Sequence, residues 1–173
     1  MTFYPIFLSV VFVIKNQNAQ LENILRNAVE HISSLVSDYE LIVVDNASDD
    51  ESIKALKKLT ASEGLPNIQV YALTKEVSND AAAWVGLESA LGDFVAVIDI
   101  MIDDIAFLPQ MLDKAVSGAD VVFANNRQKP RQSLAYRVAF ELFHAIYKSF
   151  NGIHLANDAP SYRILSKRVI NFI

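Results

Sequence analysis

The residues best suited to chemistry in this sequence stand at the ends of short apolar runs. Phe7–Ile14 opens into Lys15-Asn16-Gln17, and Tyr39–Val44 into Asp45-Asn46. Phe94–Asp99 closes on a carboxylate, with Asp103 and Asp104 just beyond. Asp120–Ala124 runs into Asn125-Asn126, then Arg127, Lys129 and Arg131. A carboxylate or amide at such a place reads a base or sugar edge by hydrogen bonds. A carboxylate also holds a divalent cation that bridges phosphates, and arginines clamp phosphate oxygens in a bidentate fork. Together these side chains are the equipment for a nucleotide-diphosphate ligand. A carboxylate ending an apolar run is costly unless solvated, paired or bound, which singles out Asp99. Other chemistries lack their parts. The chain has no Cys, hence no thiol nucleophile, thiolate metal site or disulfide framework. His31, His144 and His154 have no metal-ligand spacing, and no Ser stands in a nucleophile elbow. No glycine-rich phosphate loop is present, which argues against ATPase and dinucleotide readings.

Elements must hold these residues in place. Phe7–Ile14 is the near-continuous β-branched run of a strand buried on both faces. Leu21, Ile24, Leu25, Ala28, Val29, Ile32 and Leu35 then recur at helical spacing, with Asn16 or Asn18 as the expected cap. After Tyr39–Val44, Ser48 and Glu51 have the spacing of a capping box and open a helix through Ile53, Leu56 and Leu59. Gly64-Leu65-Pro66-Asn67 breaks the chain before a strand at Ile68–Leu73. A helix over Asp80–Ala90, the strand Phe94–Asp99, a helix over Phe107–Val116 and the strand Asp120–Ala124 complete five alternations. That order predicts a parallel sheet with helices on both faces, and such sheets bind ligands beyond the carboxyl ends of their strands.

Composition fits a folded domain: 52% of residues are hydrophobic and 20% charged, which excludes a disordered chain. The apolar run from Phe3 to Ile14 is too short to span a membrane, which takes roughly 20 residues. Charge is unevenly placed. Residues 1–120 carry 18 acidic and 7 basic side chains, residues 121–173 carry 2 and 8. A basic end suits phosphate groups or an anionic membrane surface, while the net charge of −5 argues against nucleic acid as a partner. Ser133–Phe150 reads as a helix with one narrow polar stripe, Arg137, Glu141, His144 and Lys148. Its apolar circumference needs the domain's own core, a partner chain, a further part of the protein or a lipid surface to cover it.

Several segments, taken in order, resemble the family 2 inverting glycosyltransferases of the GT-A fold. Within them the pattern is nearest to the branch that transfers sugars to dolichyl or polyprenyl phosphates. Ser9–Gln17 resembles that family's first strand and its Tyr-Asn-Glu turn, of which Asn16 is kept. Ile42–Asp50 resembles the acidic, Ser-containing turn that follows the second strand. Ala81-Ala82, Gly86-Leu87, Ala90 and Gly92-Asp93-Phe94 match the helix leading to the fourth strand. Val97-Ile98-Asp99 reaches the Asp-x-Asp position, and Tyr162–Arg168 resembles the later Phe-Arg-Leu-x-x-Arg segment.

The resemblance implies a single GT-A catalytic domain over residues 1–173, Rossmann-like and three-layered, with a mostly parallel central sheet. It implies transfer of a sugar from a nucleotide-diphosphate sugar, with inversion, to an acceptor such as a polyprenyl phosphate. Asn16, Asp45, Asn46 and Asp99 would bind the nucleotide sugar, with Asp45 at the base. Arg127, Arg131 and Arg163 would face phosphates of donor or acceptor. A divalent cation, Mg²⁺ or Mn²⁺, would rest on Asp99. The resemblance further implies a cytoplasmic protein, peripheral at the inner face of the membrane, and the apolar helix 133–150 offers a surface for self-association. The departures are specific. Met101 replaces the second acid of Asp-x-Asp, and a thioether is a poor ligand for Mg²⁺ or Mn²⁺. Glu76 and Ser78 replace the usual Asn and Gly after the third strand, and Glu76 repels a diphosphate unless paired, for which Lys75 is the expected partner. The chain also stops soon after Arg163, so we expect a catalytic domain shortened at its C-terminal end. These departures motivate the alternative of a degenerate nucleotide-sugar-binding or assembly module on the same fold.

Overall fold

The strand β1 (Tyr4–Ile14) is the axis of the fold, because Leu8 to Phe12 are buried on both faces without interruption. The computed structural model describes residues 2–99, 101–124 and 160–172. After β1 come α1 (Asn18–Leu35), β2 (Val36–Asp45), α2 (Ser52–Leu59), β3 (Ile68–Ala72), α3 (Asn79–Ser89) and β4 (Phe94–Ile98). A 3-10 turn at Ile105–Phe107 leads into α4 (Leu108–Val116), and β5 (Val121–Phe123), β6 (Arg163–Ser166) and α5 (Lys167–Ile170) follow. The sheet order is β3-β2-β1-β4-β6-β5. β1 to β4 are parallel, and β6 is antiparallel to both β4 and β5. The fifth strand therefore runs in the expected direction, but it pairs with β6 rather than with β4. The helix expected over Ser133–Phe150, and with it Arg127 and Arg131, lies outside the described residues.

Alternation along the strands sorts the core into two layers. Val10, Phe12, Ile14, Leu41, Val43, Ala96 and Ile98 face α1, α2 and α4. Val11, Ile42, Val44, Val95, Val97 and Leu165 face α3. α3 lies so close to β1 that a Cβ on Gly86 would stand 2.4 Å from Val11 Cγ1. Only glycine gives this approach.

Polar groups fix the register inside these layers. Glu40 is buried in β2, where its carboxylate accepts from Ser9 Oγ (2.5 Å), Leu91 N (2.7 Å) and Gln69 Nε2 (2.7 Å). Ser9 Oγ in turn accepts from Gly92 N at 2.9 Å. Gly92 has no room for a side chain, since a Cβ there would meet Ser9 N at 2.6 Å. These bonds join β1, β2, β3 and the α3–β4 turn through one carboxylate. At the far end Tyr4 OH lies 2.6 Å from Asp113 Oδ1 and 3.0 Å from Pro109 O, fastening β1 to α4.

Glu40→Ala strands the Leu91 amide and the Gln69 side chain, and is expected to cost roughly 3 kcal/mol in urea unfolding. Burial, then the Asp113 carboxylate, push the Tyr4 phenol from its ordinary 10.0 up to about 12. The raised value means this stability is fully present below pH 10.0 and is lost as pH climbs through about 12. Tyr4→Phe should cost about 1 kcal/mol at neutral pH and flatten that alkaline loss in a pH series of thermal melts.

Candidate functional site

Parallel register brings three strand exits to one edge. Ile14 is opposite Asp45 across β1 and β2, and Phe12 is opposite Ile98 across β1 and β4. Asp45 and Asp99 thus stand at nearly the same height on either side of β1, about 10 Å apart by two strand spacings. The pleat separates their side chains. Asp45 continues the Leu41–Val43 row toward α1 and α2, and Asp99 continues the Val95–Val97 row toward α3.

The exits of β1 and β2 are knitted into one unit. Asp45 is buried, and both its oxygens are taken by Ser48: Oδ1 accepts from Ser48 Oγ at 2.5 Å and Oδ2 from Ser48 N at 3.1 Å. Ser48 Oγ accepts from Asn16 N (2.9 Å), and Asn16 Oδ1 accepts from Asp49 N (3.0 Å). Ser52 Oγ accepts from Gln17 N (3.0 Å), and Asp50 Oδ2 accepts from Asn18 N (3.2 Å). Asn16 and Ala47 hold φ of 53° and 58°, left-handed turns that point the two segments at each other. The caps differ from the sequence expectation for this reason. Asn16 and Ser48 bond across the two turns instead of onto their own helices. The α2 amide of Ser52 is met by Asp50 Oδ1 (2.8 Å), and α1 receives its cap from the other turn. Hydrogen bonds from Ser52, first its hydroxyl, hold the Asp50 carboxyl below its usual range.

Asn46 spends its amide differently. Its Oδ1 accepts from Val77 N (3.0 Å) and its Nδ2 donates to Val77 O (2.8 Å). This pins the β3–α3 loop against the exit of β2. The neighbouring Glu76 reaches back to Lys15, with Oε2 2.6 Å from Nζ. Ser78 caps α3 by accepting from Ala81 N.

Asp99 opens a tight turn. Its Oδ1 accepts from Met101 N (3.0 Å), and its own N–H donates to Asp103 Oδ2 (2.8 Å). It lines a cleft of about 30 Å³ with Val13, Asn79, Asp80, Ser161 and Arg163. Arg163 Nη1 bonds Asp80 Oδ1 at 3.0 Å, and the arginine side chain is only 15% exposed. A larger cavity of about 350 Å³ lies on the opposite sheet face, lined by Phe12, Asn23, Asn27, Ile98, Asp103 and Asp104 among others. Burial raises the Asp103 carboxyl above its usual range, opposed by the Asp99 amide bond and reinforced by the Asp99 charge. Tyr162 is buried nearby in that layer, its hydroxyl without a partner among the described residues, and burial pushes its phenol well above the ordinary value.

The described residues do not assemble a metal centre. The position two beyond Asp99 is the exposed thioether of Met101. Asp103 is turned to the other cavity and already bonds the Asp99 amide. Asp45 is held by Ser48 on the far side of the pleat, and Asp80 is paired with Arg163. Among the described residues no three His, Cys, Asp or Glu side chains gather into a metal-sized group. The sequence pointed to Asp99, Arg163, Asn16, Asp45 and Asn46. The structure adds Lys15, Ser48, Asp80 and the Glu76 link. Glu76, for which the sequence suggested the adjacent Lys75, pairs with Lys15 instead, because the Asn46–Val77 bonds turn its loop toward the exit of β1. Nothing local marked Asp80 as the partner of Arg163, 83 residues away.

Comparison with known proteins gives the same outline. Residues 9–173 match the family model described as Glycosyl transferase family 2. An undecaprenyl-phosphate 4-deoxy-4-formamido-L-arabinose transferase from Pseudomonas fluorescens is 32% identical over 172 residues, 97% of this chain and 50% of that protein. A prophage bactoprenol glucosyl transferase homolog from Escherichia coli is 23% identical over 168 residues, 96% of this chain and 54% of that protein. The chain spans about half the length of these curated relatives. Glucosyl-3-phosphoglycerate synthase from Mycobacterium tuberculosis, solved in complex with Mn²⁺, UDP and phosphoglyceric acid, aligns with a TM-score of 0.62 at 20% identity. That alignment covers 95% of this chain and 57% of that one, and it shows a shared GT-A fold.

Ser48→Ala removes the donor to Asp45 and the acceptor for Asn16 N. It should cost about 1–2 kcal/mol and raise amide hydrogen exchange at Asn16, read by NMR, while exchange at Val11 stays slow.

Proposed function

This chain belongs to glycosyl transferase family 2, and from that premise we propose that it binds a nucleotide-diphosphate sugar and transfers the sugar, with inversion, to a polyprenyl phosphate. The observation that carries the reading is the cleft where Asp99, Arg163 and the N-terminus of α3 meet at the carboxyl ends of β1 and β4. A helix N-terminus and a guanidinium both favour phosphate oxygens. Asp99 stands where a carboxylate meets the ribose and diphosphate, and Arg163 faces the phosphates. The joined turns around Asn16, Asp45 and Ser48 form the rim for the base, with Asp45 accepting from it as Ser48 yields an oxygen. Asn46 positions the β3–α3 loop. Arg127 and Arg131, from the basic end of the chain, serve the phosphates of donor or acceptor.

The acceptor phosphate is already ionised near neutral pH, so no strong general base is needed. One of its oxygens attacks the anomeric carbon from the face opposite the leaving group. The new carbon–oxygen bond forms as the bond to the nucleoside diphosphate breaks, and the electron pair leaves on the diphosphate. Catalysis then consists of holding donor and acceptor in line and stabilising the leaving charge. The names of the curated relatives, which act on undecaprenyl phosphate or bactoprenol, support a polyprenyl acceptor. Among the described residues no helix is long and apolar enough to cross a membrane. The basic C-terminal third supports a peripheral seat at the cytoplasmic face of the membrane.

The test is turnover of UDP- and GDP-sugars with undecaprenyl phosphate in micelles, followed by mass spectrometry of the lipid. The parent chain should form glycosyl phosphate lipid of inverted anomeric configuration. Asp99→Ala should lower the rate about a hundredfold, and Asp99→Ala turning over at the parental rate would remove Asp99 from the site.

A further inference from the structure

We infer that Lys15 is the cation that receives the donor's diphosphate in this chain, in the place of a metal ion, and that Glu76 holds it in position until the donor arrives. This inference rests on the nucleotide-sugar reading above.

Three observations converge on it. The donor set at the β4 exit offers Asp99 and then Met101, so the hard second ligand of a divalent cation is missing, and Asp103 is committed to the Asp99 amide on the other side of the sheet. A leaving diphosphate still needs positive charge nearby. Second, two basic groups described at this edge are paired with carboxylates from one short segment. Lys15 bonds Glu76 at 2.6 Å, and Arg163 bonds Asp80 at 3.0 Å. The loop between those acids is not free to wander, because Asn46 grips Val77 at both backbone atoms and Ser78 caps α3. Glu76 is therefore aimed at the β1 exit by its neighbours. Third, the cleft of about 30 Å³ is the size for a water, not for a nucleotide sugar. Asp80 and Arg163 line it, so a donor has to part that pair to enter, and the diphosphate then lies toward the Lys15–Glu76 pair at the exit of β1.

The exchange is chemically simple. The side chains of Lys15 and Glu76 are 39% and 62% exposed, and an exposed pair of this kind contributes little stability. A diphosphate brings more charge than one carboxylate, so it takes Lys15 from Glu76, and the freed carboxylate turns to water. Two consequences follow. Glu76 competes with the donor, so its removal tightens binding. Lys15 supplies the charge, so added Mn²⁺ changes little.

The experiment is isothermal titration of the 173-residue chain with UDP and with GDP, in EDTA and then in Mn²⁺, for the parent, Glu76→Gln, Lys15→Gln and Lys15→Arg. In EDTA, Glu76→Gln should bind its preferred nucleotide about fivefold more tightly than the parent. Lys15→Gln should bind about tenfold more weakly, with a shallower dependence on salt, and Lys15→Arg should restore most of the loss. Mn²⁺ should shift the parental Kd less than twofold. Equal or weaker binding by Glu76→Gln overturns the role given to Glu76. Tenfold or greater tightening of the parent by Mn²⁺ overturns the replacement of the metal by Lys15. In both cases nucleotide binding itself, and the proposed function with it, still stands. Absence of binding to UDP and GDP in all four proteins, with and without Mn²⁺, overturns both.

Discussion

The register of β1 between β2 and β4 is the constraint on which the rest of this structure depends. A strand buried on both faces cannot slip by one residue without turning its whole apolar set to the wrong layer. Phe12 opposite Ile98 and Ile14 opposite Asp45 are therefore fixed together. The same register carries the exits of three strands to one height, and Asn16, Asp45 and Asp99 hang from those exits. Glu40, bonded to Ser9, Gln69 and Leu91, holds the register from below. Asp45, bonded to Ser48, holds the turns above. Two buried carboxylates thus do different work from the half-buried Asp99, which is the one that lines the cleft.

The edge is assembled by side chains that reach across turns. Asp50 meets the first amides of both α1 and α2, and Asn46 fastens the loop that carries Glu76. Short polar side chains suit this task because each accepts from backbone amides that the helix starts leave unpaired. The outcome is a bonded rim at the exits of β1 and β2, beside which the Lys15–Glu76 pair is exposed and loosely held. Rim residues that are already bonded give pre-organisation, and exposed pairs give an opening that costs little.

Much of this was legible in the sequence because periodicity and order are local. The runs Phe7–Ile14 and Tyr39–Val44, and the helical spacing from Leu21 to Leu35, gave strands and helices within a few residues of those observed. The carboxylates Asp45 and Asp99 stood out because each ends an apolar run. What was hidden depends on contacts distant in the chain. β6 enters between β4 and β5, and no local pattern in Arg163–Ser166 marks an antiparallel insertion. The opposite facing of Asp45 and Asp99 follows from the pleat once the two strands are placed in register, and the register is a pairing property. Ser48 looked like the start of a capping box, but the Asp45 carboxylate three residues earlier claims its hydroxyl. Glu40 was silent because its three partners come from three separate segments.

A crystal structure of this chain soaked with UDP or GDP tests the central claim most directly, because it locates the diphosphate. The account predicts density at the carboxyl edge of β1 and β4, with phosphate oxygens within hydrogen-bond reach of Arg163 and the nucleotide running past Asp99 toward the Asn16–Ser48 rim. Nucleotide seated instead in the cavity between α1 and Asp103, on the other face of the sheet, would contradict it.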